Sequence, residues 1–145
     1  MAYADYEFYT DVYSGSAIAE PDFERMANRA SRLVDMVTHR RLFNAYPEDE
    51  YTDLQIKMCV CDIADKMMEI DKYNKAAALD ESGNASLVKS VSAGSESITY
   101  STTDTKYAEL SKDDSKARAY YRSIVTDYLQ GLPDANGIHL LYAGV

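Results

Sequence analysis

The chain has 145 residues, with 15 basic and 24 acidic side chains and a net charge of −9. Its 46% hydrophobic and 27% charged residues are typical of a globular protein with a real core, which excludes a wholly disordered or fibrous chain. The acidic balance argues against a protein that grips nucleic acid, because phosphate binding needs a basic surface. Apolar runs are short and none follows Met1, so we expect neither a membrane span nor an export signal.

The first part of the chain predicts two helices. Tyr6, Tyr9 and Tyr13 have the spacing of one face of a short helix, which Gly15 is expected to end. A second helix is predicted from about Pro21 to His39, because proline suits a first turn. Its apolar stripe consists of Phe23, Met26, Ala27, Ala30, Leu33, Val34 and Val37. Its opposite face carries what we call the basic stripe, formed by Arg25, Arg29 and Arg32.

A longer helix is predicted from about Tyr51 to Ala77, and it has apolar residues on two sides. The main stripe contains Ile56, Cys59, Val60, Ile63, Met67 and Ile70. A weaker stripe contains Leu54, Met58, Cys61 and Met68. A helix on a protein surface needs only one apolar face, so this one is either central in its domain or in contact with another chain. The remaining narrow face includes what we call the acidic strip, formed by Asp62, Asp65 and Glu69.

The composition changes between Ser82 and Thr103, where ten of 22 residues are Ser or Thr. Alternating apolar residues around Ala93-Gly94-Ser95 favour a β-hairpin there, and a flexible loop is the alternative. A last helix is predicted from near Ser111, ended by Gly131 and Pro133. We therefore predict a mainly α fold: one domain over residues 1–145, with about four bundled helices, a Ser-rich hairpin or extended loop at about 82–103, and an extended C-terminal tail at about 132–145.

The tail begins with the turn sequence Asp134-Ala135-Asn136-Gly137 and ends in apolar residues. Two interpretations have equal weight: the tail folds back into the core, or it docks on another subunit. If the helices alone form the core, the apolar side chains of the tail become buried only when the tail docks, and their burial then stabilises the assembly. Removal of residues 138–145 is then expected to leave the monomer folded. The side chains concerned are Ile138, Leu140, Leu141, Tyr142 and Val145.

The sequence contains no pattern typical of a catalyst, and we predict neither a metal nor a cofactor. His39 and His139 are a hundred residues apart, and the two cysteines lack the spacing of a metal knuckle. Cys59 and Cys61 cannot pair along one helix, so they are expected to be reduced and buried. Carboxylates of the acidic strip could hold a divalent ion, but neither a histidine nor a second helix with carboxylates accompanies them. A metal-dependent hydrolase is therefore the least favoured class.

The order of features along the whole chain resembles the head-tail connector, or adaptor, proteins of tailed bacteriophages. The N-terminal stretch with Tyr9, Tyr13, Gly15 and Ile18 is followed by Glu20-Pro21-Asp22-Phe23 and a helix through Ala27, Ala30, Ser31 and Val34. A long helix with acidic and Met residues comes next, and then the Ser-rich segment from Ser92 to Ser101. The chain closes on Leu140-Leu141-Tyr142-Ala143-Gly144-Val145. The stretch from Leu132 to His139 is longer than the family pattern.

The resemblance implies a structural protein in the neck of the virion, made in the cytoplasm of a bacterial host. Such connectors assemble as dodecameric rings beneath the portal protein, contact a stopper or tail-completion protein on the other side, and let DNA pass without specific binding. Under this interpretation the tail docks on the portal or a neighbouring subunit, and the basic stripe faces the acidic strip of the next subunit. The competing interpretation is a small cytosolic helical protein-binding regulator.

Overall fold

The computed structural model describes residues 2–79 and 114–142, and over these residues the fold is mainly helical. The helices are α1 (Tyr6–Asp11), α2 (Glu20–Val37), α3 (Arg41–Asn44), α4 (Glu50–Leu79) and α5 (Asp114–Leu129). This part of the chain contains no strand, only one isolated antiparallel bridge between Pro133 and His139. The mainly α prediction is thus confirmed. The predicted Ser-rich hairpin at about 82–103 and the start predicted near Ser111 lie outside the described residues.

Contacts divide the described chain into two compact units. The first, which we call the main unit, contains residues 2–67 and 119–142. The second contains residues 68–79 and 114–118. The prediction of one domain over residues 1–145 stays a prediction. All the features described below lie in the main unit unless stated otherwise.

Helix α2 begins and ends much as its sequence predicts. Pro21 lies in its first turn, where its missing N–H has no helical partner to lose, and Glu20 and Asp22 place negative charge at the positive end of the helix dipole. At the other end, the backbone N–H and the hydroxyl of Thr38 both donate to the carbonyl of Val34, at 2.9 and 2.8 Å. The chain then reverses into α3, a short helix that the sequence did not predict.

Helix α4 is central within the main unit, which decides between the two interpretations of its second apolar stripe. Ile56, Cys59, Val60 and Ile63 of the main stripe are fully buried, and so is Cys61 on the other side. Only Leu54, near the start of the helix, is exposed among the apolar residues of the weaker stripe in this unit. Hydrogen bonds tie α4 to α1 through Asp65 and to α5 through Asp62. Burial from two sides therefore explains most of the second stripe without another chain.

Candidate functional site: the surface around the C-terminal hairpin

Residues 132–140 fold into a tight antiparallel turn, which we call the C-terminal hairpin. Gly131 follows α5 with φ +80°, the left-handed conformation that glycine adopts at the end of a helix. The N–H of Asp134 donates to the carbonyl of Ile138 at 2.8 Å, and the carbonyl of Asp134 accepts from the N–H of Gly137 at 3.1 Å. Its Oδ1 accepts from the N–H groups of Asn136 and Ile138 at 2.8 and 3.0 Å. Gly137, at φ +82°, closes the turn. The predicted helix end and turn are both confirmed.

The hairpin corrects our expectation of a tail that stays loose until assembly. Leu140 is fully buried, and its N–H donates to the carbonyl of Leu132 at 2.9 Å, so this residue belongs to the core of the main unit. Leu141 is half-buried. Ile138 and Tyr142 are 44% and 57% exposed, so their side chains are accessible to a partner. Val145 lies outside the described residues. A docking role thus stays a prediction for Ile138 and Tyr142, and it is wrong for Leu140.

The C-terminal hairpin lies against the segment that joins α3 to α4. The N–H of Ala135 donates to the carbonyl of Ala45 at 3.0 Å, and the guanidinium of Arg41 lies 5.7 Å from the centre of the Tyr142 ring. A pocket of about 340 Å³ separates the two segments and is lined by residues 47–49, Thr52 and residues 132–135. These contacts place the C-terminal hairpin, α3 and the start of α4 in one region of the main unit.

Large exposed apolar side chains concentrate on these same segments. Phe43 in α3 is 80% exposed, which is unusual for a phenylalanine in a folded unit. The others on these segments and the adjoining end of α2 are Met36, Tyr51, Leu54, Ile138 and Tyr142. Among the described residues, Val12 is the one large apolar side chain exposed elsewhere. Aromatic residues and arginine are the side chains enriched at the centres of protein interfaces, so this region is a candidate interaction surface.

The basic stripe of α2 lies on the surface of the main unit. Arg25, Arg29 and Arg32 are all exposed, as the helical spacing predicts. Arg25 lies 3.9 Å from Asp22 one turn earlier, a separation at which an exposed pair contributes little to stability. The stripe is thus accessible to another molecule.

The acidic strip is not the open surface that we expected. The hydroxyl of Tyr9 donates to Oδ1 of Asp65 at 2.6 Å, and that of Tyr128 donates to Oδ2 of Asp62 at 3.1 Å. Both carboxylates are half-buried by the helices that supply these tyrosines. Glu69 belongs to the second unit and is also half-buried. One oxygen of each aspartate is thus engaged within the chain, and the contact of the acidic strip with the basic stripe of a neighbour stays a prediction.

Three tyrosines surround these two aspartates. Burial raises the pKa of Tyr9, Tyr13 and Tyr128 above the usual value, and the nearby negative charges of Asp62 and Asp65 raise it further. The hydroxyls are therefore neutral donors at any physiological pH. The cluster joins the N-terminal segment, α4 and α5.

Two further pairs repeat this arrangement nearer the candidate surface. The Tyr3 hydroxyl donates to Asp35 of α2, and the Tyr46 hydroxyl donates to Asp53 of α4 at 2.6 Å. The rings of Tyr3 and Tyr46 stack with their centres 5.7 Å apart. Burial raises the pKa of both tyrosines, with their aspartates adding to the effect. The segment between α3 and α4 is thus fixed to both the N-terminus and α4.

The groups that can bind metals or act as nucleophiles are dispersed over the described residues. No three His, Cys, Asp or Glu side chains there are grouped closely enough to hold a metal ion. Cys59 and Cys61 are buried free thiols, as predicted. Burial raises the pKa of Cys61 to about 12 and that of Cys59 further, so both are poor nucleophiles. His39 and His139 are both exposed. None of the described helices combines the length and apolar character that a membrane crossing requires.

Sequence reasoning missed the two most unusual features of the candidate surface. Phe43 received no role because α3, with its four residues, is too short to show a periodic pattern. His39 and Arg40 adopt left-handed backbone conformations, with φ +56° and +61°, although neither is glycine. The sequence does indicate that α2 ends here, because its apolar stripe stops at Val37, shortly before Arg40 and Arg41.

Comparisons of the chain with protein-family models, curated proteins and solved structures found no match.

Proposed function

We propose that the protein is a head-tail connector of a tailed bacteriophage, a structural component without enzymatic activity. In this role its subunits form a ring, with twelve as the expected number, between the portal protein and a stopper or tail-completion protein. The ring continues the DNA channel during genome retention and ejection, and it belongs to the neck of the virion. The proposal rests on the resemblance of the chain to these proteins in the order of its features.

The observation that carries the proposal is the exposed apolar surface around the C-terminal hairpin. A connector needs contacts between its own subunits and with partners on two sides, and such contacts are built on exposed aromatic and aliphatic side chains. Phe43, Tyr51, Ile138 and Tyr142 supply them here, on segments that hydrogen bonds join. We assign portal docking to the exposed side chains Ile138 and Tyr142.

A portal-binding assay with two matched variants tests this proposal. We expect Ile138→Ser combined with Tyr142→Ser to remain folded, because neither side chain is buried, and to lose binding to the portal ring encoded by the same phage genome. Val12→Ser is the control, since Val12 is 52% exposed on a different part of the chain. Normal portal binding by the double variant would contradict the docking role. Failure of the unaltered protein to bind any portal would favour the small helical regulator.

The channel role also has a consequence for DNA. DNA must slide through the ring without being retained, and a net charge of −9 per subunit disfavours phosphate binding. We expect the surface that faces the channel to be neutral or acidic. Purified protein should therefore fail to retain linear duplex DNA at physiological salt, and persistent retention would contradict a channel role.

A further inference from the structure

Two neighbouring corners of the main unit carry opposite charges, and each includes exposed apolar side chains. The first, which we call the cationic corner, consists of Met36, His39, Arg40 and Phe43, all of which are exposed. Met36 follows Arg32 at helical spacing, so this corner continues the basic stripe of α2. Residues 36–45 contain no acidic side chain. The charges of this segment are therefore the two positive ones of Arg40 and Arg41, in a chain with a net charge of −9.

The second, which we call the acidic corner, consists of Glu48, Glu50, Tyr51 and Leu54. Tyr51 is 60% exposed and Leu54 38% exposed, and both glutamates lie on the surface. Residues 48–54 contain no basic side chain. Each corner thus offers one exposed aromatic ring, one exposed aliphatic side chain and charges of a single sign.

The two corners cannot cover each other within one chain. Phe43 and Tyr51 are both largely exposed although only eight positions separate them. The segment between them is fixed: Pro47 is buried, Tyr46 donates to Asp53 at 2.6 Å, and Ala45 accepts from the C-terminal hairpin at 3.0 Å. A rigid connection of this kind holds complementary surfaces apart.

We propose that the cationic corner of one subunit binds the acidic corner of a second copy of this chain. Different patches on each subunit that complement each other make a head-to-tail interface, the kind from which rings are built. This inference rests on the connector function proposed above, and it identifies the contact between neighbouring subunits of the ring. We choose residues 48–54 as the acidic partner over the acidic strip of α4, because Asp62 and Asp65 are half-buried and accept hydrogen bonds from tyrosines.

The charges decide the partner of each corner. Exposed apolar side chains alone could fit many partners, whereas the opposite charges of the two corners make a second copy of the same chain complementary to both of them. Asp49 and Asp53 lie in the same segment, but both are bonded to neighbouring groups of the same chain. Asp49 accepts from the N–H and hydroxyl of Thr52 at 2.9 and 3.0 Å, and Asp53 pairs with Tyr46 and Lys57. The two exposed glutamates are therefore the groups offered to arginine.

Cysteine cross-linking between two differently labelled full-length chains tests the contact without a portal. The native Cys59 and Cys61 are buried with raised pKa values, so introduced surface cysteines react selectively. One chain carries Asn44→Cys, beside Phe43, and the other carries Gln55→Cys, one turn after Tyr51, so both aromatic rings are kept; mild oxidation is expected to produce the mixed dimer. Thr126→Cys, at an exposed position on α5, replaces Gln55→Cys in the control mixture and is expected to give only background.

Charge reversal then separates a specific contact from random collision. Arg40→Glu in the first chain is expected to reduce the mixed dimer roughly tenfold, and Glu48→Lys with Glu50→Lys in the second chain should do the same. Combining the reversed chains should restore the yield. Absence of the mixed dimer, an equal yield from the Thr126→Cys control, or failure of the combined reversal to restore it would overturn the contact. Portal binding by the unaltered protein is measured separately, so a failure of the contact is distinguishable from a failure of the connector proposal.

Discussion

The hydroxyl of Tyr9 donates a 2.6 Å hydrogen bond to the carboxylate of Asp65, 56 positions further along the chain. The same oxygen accepts the backbone N–H groups of Ala17 and Ile18, each at 3.1 Å, while the ring is fully buried. One side chain thus fixes the N-terminal segment, the loop after α1 and the central helix to each other. The cluster stabilises the main unit from which the exposed corners project.

Tyr9→Phe should test the strength of this connection. The variant keeps the buried ring and removes the hydroxyl, which takes one hydrogen bond from each of two backbone N–H groups and from a half-buried carboxylate. We expect the free energy of unfolding to fall by about 1–3 kcal/mol. Chemical denaturation of Tyr9→Phe, Asp65→Asn and the double variant gives the coupling between the two residues. Additive effects would show that the hydrogen bond contributes nothing specific.

Gly15 is required by the ring of Tyr9 and not by the end of a helix. A Cβ at position 15 would lie 2.2 Å from Cε2 of Tyr9, whereas the helix α1 already ends at Asp11. We expect Gly15→Ala to lower the free energy of unfolding by about 1–3 kcal/mol, because the buried ring must move. Ser16→Ala, at the exposed neighbouring position, is the control and should change stability by about 0.5 kcal/mol or less. Equal stability of the two variants would contradict the close contact.

Leu140 and Ile138 should respond differently to the same truncation. Leu140→Ala removes a fully buried side chain and is expected to cost about 2–5 kcal/mol. Ile138→Ala shortens a side chain that is 44% exposed and should cost much less. Thermal or denaturant unfolding compares the two. The burial of Leu140 also means that removal of residues 138–145 should destabilise the main unit, in contrast to our expectation from the sequence.

Alkaline pH should destabilise the protein through its buried tyrosines. The pKa is raised for Tyr3, Tyr9, Tyr13, Tyr46 and Tyr128. The folded state therefore retains these protons more tightly than the unfolded chain, in which tyrosine has a pKa of about 10. Their contribution to stability is complete below pH about 10 and decreases as the pH rises above it. Tyrosinate absorbance followed together with circular dichroism should show these groups ionising only as the fold is lost. Ionisation of all tyrosines in one step near pH 10, with the fold retained, would contradict this.

The helices could be predicted from the sequence because their apolar positions recur at a strong period. The stripe from Phe23 to Val37 and the buried face around Ile56 and Ile63 both lie where the pattern placed them. The turn at Asp134 and Gly137 was equally predictable, because aspartate and glycine have specific turn conformations.

The candidate surface was much harder to predict. Asp62 and Asp65 share a helix face with polar residues, and only the fold shows that tyrosines from α1 and α5 cover them. The burial of Leu140 and the exposure of Phe43 likewise depend on how segments that are distant in the sequence pack together. Helical periodicity does not contain such information, because it records which residues share a face and not what covers that face.

Co-assembly with the portal ring of the same phage tests the central proposal most directly. Purified protein is mixed with the purified portal, and the complex is separated by size and imaged. We expect a ring of this chain, with twelve subunits, on one face of the portal and coaxial with its channel. A protein that remains separate from the portal at every concentration tested, while both partners are folded, would contradict the connector proposal.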